Sequence, residues 1–256
     1  MSKLIESLES VGTVTPNQIG FGTSRSYEKN PPLLLVALYG AKAASAEAQY
    51  KADSYIIATG KVTKSDLKSA KTLAKSTPWG FWPNELTSYS LDDIKNQGGD
   101  FFIFSTLNTP AEILATEDLG KLITVPVEFP EELGNSLEGI PVDAVIIVGL
   151  EESSPLSIKE LMQIRSVRDL ISKPLMLLRS QPLSRGELTV IQEVGIQGIV
   201  LDLRTMRMQD ANQVHEAINE LPTRRNKRDK PDALLPKLTH NIASLEMEEE
   251  EEEEEE

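Results

Sequence analysis

The chain contains no cysteine, which excludes disulfides, thiolate metal centres and cysteine nucleophiles. Histidine is nearly as scarce: only His215 and His240 are present, too few for a histidine-rich metal centre. No apolar run approaches the ~20 residues that a membrane span needs, and the first residues lack the apolar stretch of a signal peptide. The expectation is a cytoplasmic chain with no membrane contact. Basic residues are outnumbered 26 to 40, for a formal charge of −14, but ten of the acids lie between Glu246 and Glu256. Without that end the chain carries 30 acids against 26 bases, about −4, so the low pI describes a tail and not a folded body.

What the sequence does have is a recurrent short apolar run. The runs are Leu33–Tyr39, Asp53–Ala58, Trp79–Trp82, Asp100–Ser105, Leu122–Val127, Asp143–Gly149, Pro174–Leu178 and Gly195–Leu201. They start every twenty-odd residues, with one longer gap before the seventh, which is the period of a βα unit. Continuous rather than alternating apolar character marks strands buried on both faces. Helix signals fill the intervals. Thr63 with Asp66 reads as a capping box, and Ser157 or Pro155, Ser184 and Asp210 open further apolar-periodic stretches. The interval Pro130–Pro141 is short and contains glycine, so it predicts one helical turn or none.

Eight strands with alternating helices predict an α/β chain folded as a single (β/α)8, TIM-like barrel over residues 32–222. The competing reading is an open doubly wound sheet, which the missing glycine fingerprint after the first strand disfavours. Residues 1–31, with the amphipathic Leu4-Ile5…Leu8, are expected to cap the barrel bottom. Residues 223–245 combine a basic run (Arg224, Arg225, Lys227, Arg228, Lys230) with the apolar Leu234-Leu235-Pro236. Residues 246–256 are expected to be a disordered acidic tail, since like charges repel and nothing there can be buried. The basic run has no interleaved aromatic and borders a polyanion, which argues against nucleic-acid binding.

Barrel sites lie at the carboxyl ends of the strands. Side-chain parity places Ile123, Val125 and Val127 on the helix side of the fifth strand and Glu128 in the mouth. In the eighth strand the same argument sends Ile199 and Leu201 outward and Asp202 inward. In the seventh both faces are apolar, and Arg179 is placed near the top of the inside. Glu128, Asp202 and Arg179 thus form a charged cluster able to hold Mg²⁺, or to bind an anion while an acid serves as base. The plainer alternative is a Glu128–Arg179 ion pair that closes the barrel top. Trp82 and Asn84, at the end of the third strand, could wall a pocket and add a hydrogen bond; the alternative is that both Trp79 and Trp82 are packing residues.

The stretch Gly195-Ile-Gln-Gly-Ile-Val200 resembles the last strand of phosphate-binding (β/α)8 barrels, over about ten residues. The resemblance implies a phosphate held beyond that strand, with Arg179, Arg185 and Arg204 as possible charge partners. In this chain Asp202-Leu203-Arg204 stands where those barrels carry a small Gly-Ser loop, and no Gly-Gly motif ends the seventh strand. Barrels of the aldolase and lyase type also place a glutamate at the end of strand five, as Glu128 stands here.

Two functions follow. One is a barrel enzyme of lyase, aldolase or isomerase type acting on a small anionic molecule. In it Glu128 is base or metal ligand, Asp202 its partner, Arg179 the anion clamp, Trp82 the pocket wall, and Asn84 and Arg204 further contacts. The other is a non-catalytic barrel that binds or scaffolds. The residues set no oligomeric state.

Overall fold

All eight apolar runs are strands. The computed structural model describes residues 2–12, 30–41, 50–105 and 109–222. The strands are β1 (Leu34–Gly40), β2 (Ser54–Thr59), β3 (Trp79–Pro83), β4 (Phe101–Phe104), β5 (Gly120–Pro126), β6 (Ala144–Val148), β7 (Leu175–Arg179) and β8 (Gly198–Asp202). They pair in parallel and in chain order, and β1 pairs with β8, Leu34 opposite Gly198 and Leu38 opposite Asp202. That last pairing makes a closed (β/α)8 barrel and excludes the open sheet.

The helices are α1 (Lys3–Ser10), α2 (Lys64–Ala74), α3 (Ser88–Asn96), α4 (Glu131–Leu137), α5 (Ile158–Leu170), α6 (Arg185–Val194) and α7 (Met208–Asn219), with a 3-10 turn at Ala111–Ala115. Capping boxes open α2 (Thr63, Asp66), α3 (Thr87, Ser90), α5 (Ser157, Glu160) and α6 (Ser184, Glu187). Among the described residues no helix is long and apolar enough to cross a membrane. The expectations for residues 223–256, and those for 13–29, fall outside the described residues.

The structure corrects one helix. Pro130–Pro141 carries α4, seven residues long, where one turn or none was expected. Its Gly134 is a contact and not a break: a Cβ there would stand 3.0 Å from Leu170 Cβ, so the missing side chain lets α4 lie against the end of α5.

Parity divides the core in two. Leu35, Ile57, Phe81, Phe102, Ile123, Val145, Leu177 and Ile199 face outward and pack under the helices. Val36, Ile56, Ile103, Leu122, Ile146, Met176 and Val200 fill the interior. The interior is filled further from below: Leu4, Ile5 and Leu8 of α1, together with Val11, belong to the same buried cluster. Gly198 and Gly120 make room for this plug, since a Cβ on Gly198 would lie 3.4 Å from Leu8 Cδ2 and one on Gly120 2.8 Å from Ser2 Oγ.

One carboxylate fastens the plug. Asp100, just before β4, accepts from Ser2 Oγ (2.7 Å), Lys3 N (2.8 Å) and Leu4 N (3.0 Å), and so supplies the free amides of the first turn of α1 with an acceptor from another element. Asp100→Ala should cost about 2 kcal/mol of unfolding free energy, a lost cap plus an orphaned buried hydroxyl. Urea titration checks this, and an unchanged midpoint would show that α1 is held by packing alone.

Candidate active site

The carboxyl ends of the strands surround the barrel mouth. Its floor is half-buried Ala58, Trp82, Val148 and Leu178, resting on the interior cluster. Below them Thr124 Oγ1 donates to the Phe104 carbonyl (3.5 Å). The two tryptophans separate. Trp79 faces outward and meets Phe81 edge-on at 5.8 Å, a core residue. Trp82 faces the mouth, and its indole N–H donates to Ser105 Oγ. Asn84 is exposed beside it, with its backbone N–H on the Thr59 carbonyl (3.0 Å).

Asp202 points inward, as parity requires, and is 7% exposed. Its partner is Arg204, two residues on, in a forked pair: Nε to Oδ1 at 2.8 Å and Nη2 to Oδ2 at 2.7 Å. The turn after β8 is bonded within the barrel. Leu203 N donates to Leu38 O, Arg204 N to Asp202 Oδ1, and Thr205 N and Met206 N to Asp202 O. These consecutive amides are therefore committed, unlike the phosphate-cradling amides that the resemblance of β8 implied.

Arg179 is a correction. It shares the parity of Leu175 and Leu177, which pack outward, so its side chain leaves the barrel on the helix side and is wholly buried. Its ion-pair partner is Glu160 of α5 (3.2 Å), also wholly buried, and not Glu128; Nη2 donates to the Ser153 carbonyl (2.9 Å). It cannot clamp an anion in the mouth. The error has a physical source: β7 is apolar on both faces, so no side of it could be recognised as the inside.

Glu160 collects donors. Burial by itself favours its protonated form. The hydroxyl of Ser153, the amide and hydroxyl of Ser157 and the Arg179 guanidinium outweigh burial and hold its carboxyl at about 2. Arg179 Nε remains a buried donor without a hydrogen-bond partner among the described residues, which costs about 1–3 kcal/mol.

Glu128 lies beyond the end of β5 and is exposed; its charge acts on Lys159, which is itself paired with Glu151. Glu128, Asp202 and Arg179 therefore do not converge as one cluster. Among the described residues no group of three or more His, Cys, Asp or Glu side chains could hold a metal ion, and both Asp202 oxygens already serve Arg204.

The residue that sequence reasoning missed is Glu152, in the loop between β6 and α5. It is half-buried and accepts from Ser180 N (3.2 Å) at the end of β7. Its backbone has φ +55°, a region that non-glycine residues enter only at a cost. Burial pushes its carboxyl up; Arg179 and the Ser180 amide oppose this, while Asp202 and Glu160 add to it. The signal was the long gap before the seventh strand, an enlarged loop on the functional face carrying Glu151-Glu152.

No family model matches the chain, and no curated protein matches it. Solved structures do. A mutant tryptophan synthase α-subunit from Pyrococcus furiosus is 13% identical over 73% of this chain and 97% of its own, with a TM-score of 0.56. Thiamine phosphate pyrophosphorylase from Pyrococcus furiosus is 11% identical over 73% of this chain and 96% of its own, with a TM-score of 0.54. At that identity the likeness shows the fold, a TIM barrel.

Proposed function

We propose that the chain is a TIM-barrel enzyme that moves a proton on a small metabolite, in a reaction of lyase, aldolase or isomerase type. The observation that carries this reading is Glu152, an acid in the mouth pushed toward its neutral form and held on strained backbone. Perturbed carboxyls in clefts are what general acid–base catalysis requires. Glu152 takes the role of base first assigned to Glu128. Asp202 orients Arg204, whose Nη1 is uncommitted among the described residues and can receive one anionic group of the substrate. Trp82 is the apolar wall, and Asn84 and Glu128 stand at the rim. The solved structures of the same fold are enzymes by their titles, which supports the kind of protein and not the reaction.

The test begins with thermal shift against small carboxylates and phosphate esters, where a ligand at a hundred times its Kd adds about 2.7 kcal/mol. With a hit in hand, Glu152→Gln should retain binding and lose about 10²–10⁴-fold in turnover. Wild-type activity should rise with pH through a value above the ordinary carboxylate range, because the base works deprotonated. Arg204→Met should lose the shift itself.

One observation favours a second reading, a non-catalytic binding barrel: the charges of Arg179 and Arg204 are each countered inside the chain, by Glu160 and Asp202. That reading expects Glu152→Gln to raise the melting temperature slightly and to change no ligand response.

A further inference from the structure

We infer that Arg179 is a positioning residue: from behind the barrel wall, with Glu160, it fixes the loop between β6 and α5 in the conformation that holds Glu152 at the mouth. The inference rests on the role given to Glu152 above.

The geometry is a lacing of two neighbouring loops. Arg179 ends β7 and donates to the carbonyl of Ser153, the residue after Glu152. Ser180, the residue after Arg179, donates its amide back to the Glu152 carboxylate. Glu160 grips the same short segment from α5, accepting from the Ser153 amide (3.2 Å) and hydroxyl while it pairs with Arg179. Farther along, Glu187 of α6 accepts from the Leu156 amide. The left-handed backbone of Glu152 persists only if its surroundings fix it, and these bonds hold its carboxylate and the residues that follow it.

A buried ion pair is weak evidence of stabilisation, since apolar replacements of similar size are often neutral. It does fix directions, because the guanidinium fork donates along set lines. Charged groups reach Glu152 from each side: Arg179 from β7, Glu160 from α5 and Asp202, bound to Arg204, from β8. Removing the Arg179–Glu160 pair deletes two opposed influences on Glu152, of which that of Arg179 is the larger, and with the loosened Ser180 contact should shift its titration upward.

The experiment uses the full chain carrying Arg179→Met with Glu160→Met. Its readouts are the melting temperature, hydrogen exchange at the Ser180 amide, and carbon-detected titration of the Glu152 carboxyl, assigned by its absence in Glu152→Gln. We expect a folded chain with a melting temperature lowered by the loss of the α5 capping acceptor, Ser180 exchange at least tenfold faster, and Glu152 titrating higher. A folded double variant with wild-type exchange and wild-type titration would overturn the inference and leave Arg179 a structural tie. If the double variant does not fold, Arg179→Lys, which keeps the charge and loses the fork, is judged by Ser180 exchange in the same way. None of these readouts needs turnover. A Glu152→Gln variant with unaltered turnover would sink the catalytic reading while leaving the positioning result standing.

Discussion

Glu160→Ala should lower the unfolding free energy by about 3–5 kcal/mol at neutral pH, the usual result of removing one partner of a buried pair. The change leaves the Arg179 guanidinium buried without a counter-charge, and it strips the acceptor from Ser153 and Ser157. The effect should also depend on pH, with a sign fixed by the direction of the shift. The folded carboxyl titrates at about 2, below the ~4.3 of an unfolded glutamate. Its contribution is therefore complete above about pH 4.3 and is lost as pH falls toward 2, on the order of 3 kcal/mol across that window. Urea titrations of wild type and variant at pH 7, 4.5 and 2.5 should show the gap between them closing in acid. Glu187, Glu138 and Asp118 are shifted in the same direction and Glu152 in the opposite one, so the wild-type acid limb sums all of these with Glu160. A gap that stays constant to pH 2.5 would mean that Glu160 contributes by packing and not by charge.

How much of this was legible depends on which faces differ in polarity. In β5 one face reads Ile123, Val125, Val127 and the other Thr124, Pro126, Glu128; the first set packs under the helices as expected, and Glu128 lies exposed beyond the strand end. In β8 the outward Ile199 and Leu201 settled Asp202 as inward in the same way. β7 offered no such contrast, and Arg179 was misplaced. Its true partner, Glu160, is the third residue after Ser157, and the structure makes it the capping acid of α5 as well as the ion-pair partner. Strand starts were legible for a reason that appears only in the fold. Asp53, Asp100 and Asp143 each stand just ahead of a strand, where their carboxylates accept Leu35 N, Lys3 N and Lys121 N respectively. α3 was not singled out, because it buries only Leu91 and Ile94 and leaves Tyr89 86% exposed. For Glu152 only the enlarged loop that carries it was legible. Its character comes from burial, from neighbours on β7, β8 and α5, and from a backbone angle, none of which is local in sequence.

Leu8→Asp should be the most damaging change of all. Leu8 is fully buried in the barrel interior with Leu34 and Met176, on a helix whose docking closes the barrel from below. Truncation alone, as in Leu8→Ala, should cost about 2–5 kcal/mol through lost burial and a cavity. A carboxylate in the same place adds a desolvation penalty of several kcal/mol, and Asp100, the ionisable group bonded to α1, is itself an acid and offers no counter-charge. Against a total stability of about 5–15 kcal/mol, the sum either expels α1 or unfolds the chain at pH 7. The pH signature is the reverse of that of Glu160. Here the folded state raises the pKa of the introduced group, so the penalty is present above that raised value and relieved below it. Between pH 7 and pH 5 the midpoint of Leu8→Asp should therefore rise toward that of Leu8→Ala, while Leu8→Ala stays level with pH relative to wild type. Hydrogen exchange in α1 distinguishes expulsion of the helix from global unfolding. Equal midpoints for the two variants at pH 7 would show that Leu8 is not enclosed by the barrel and that α1 does not act as its plug.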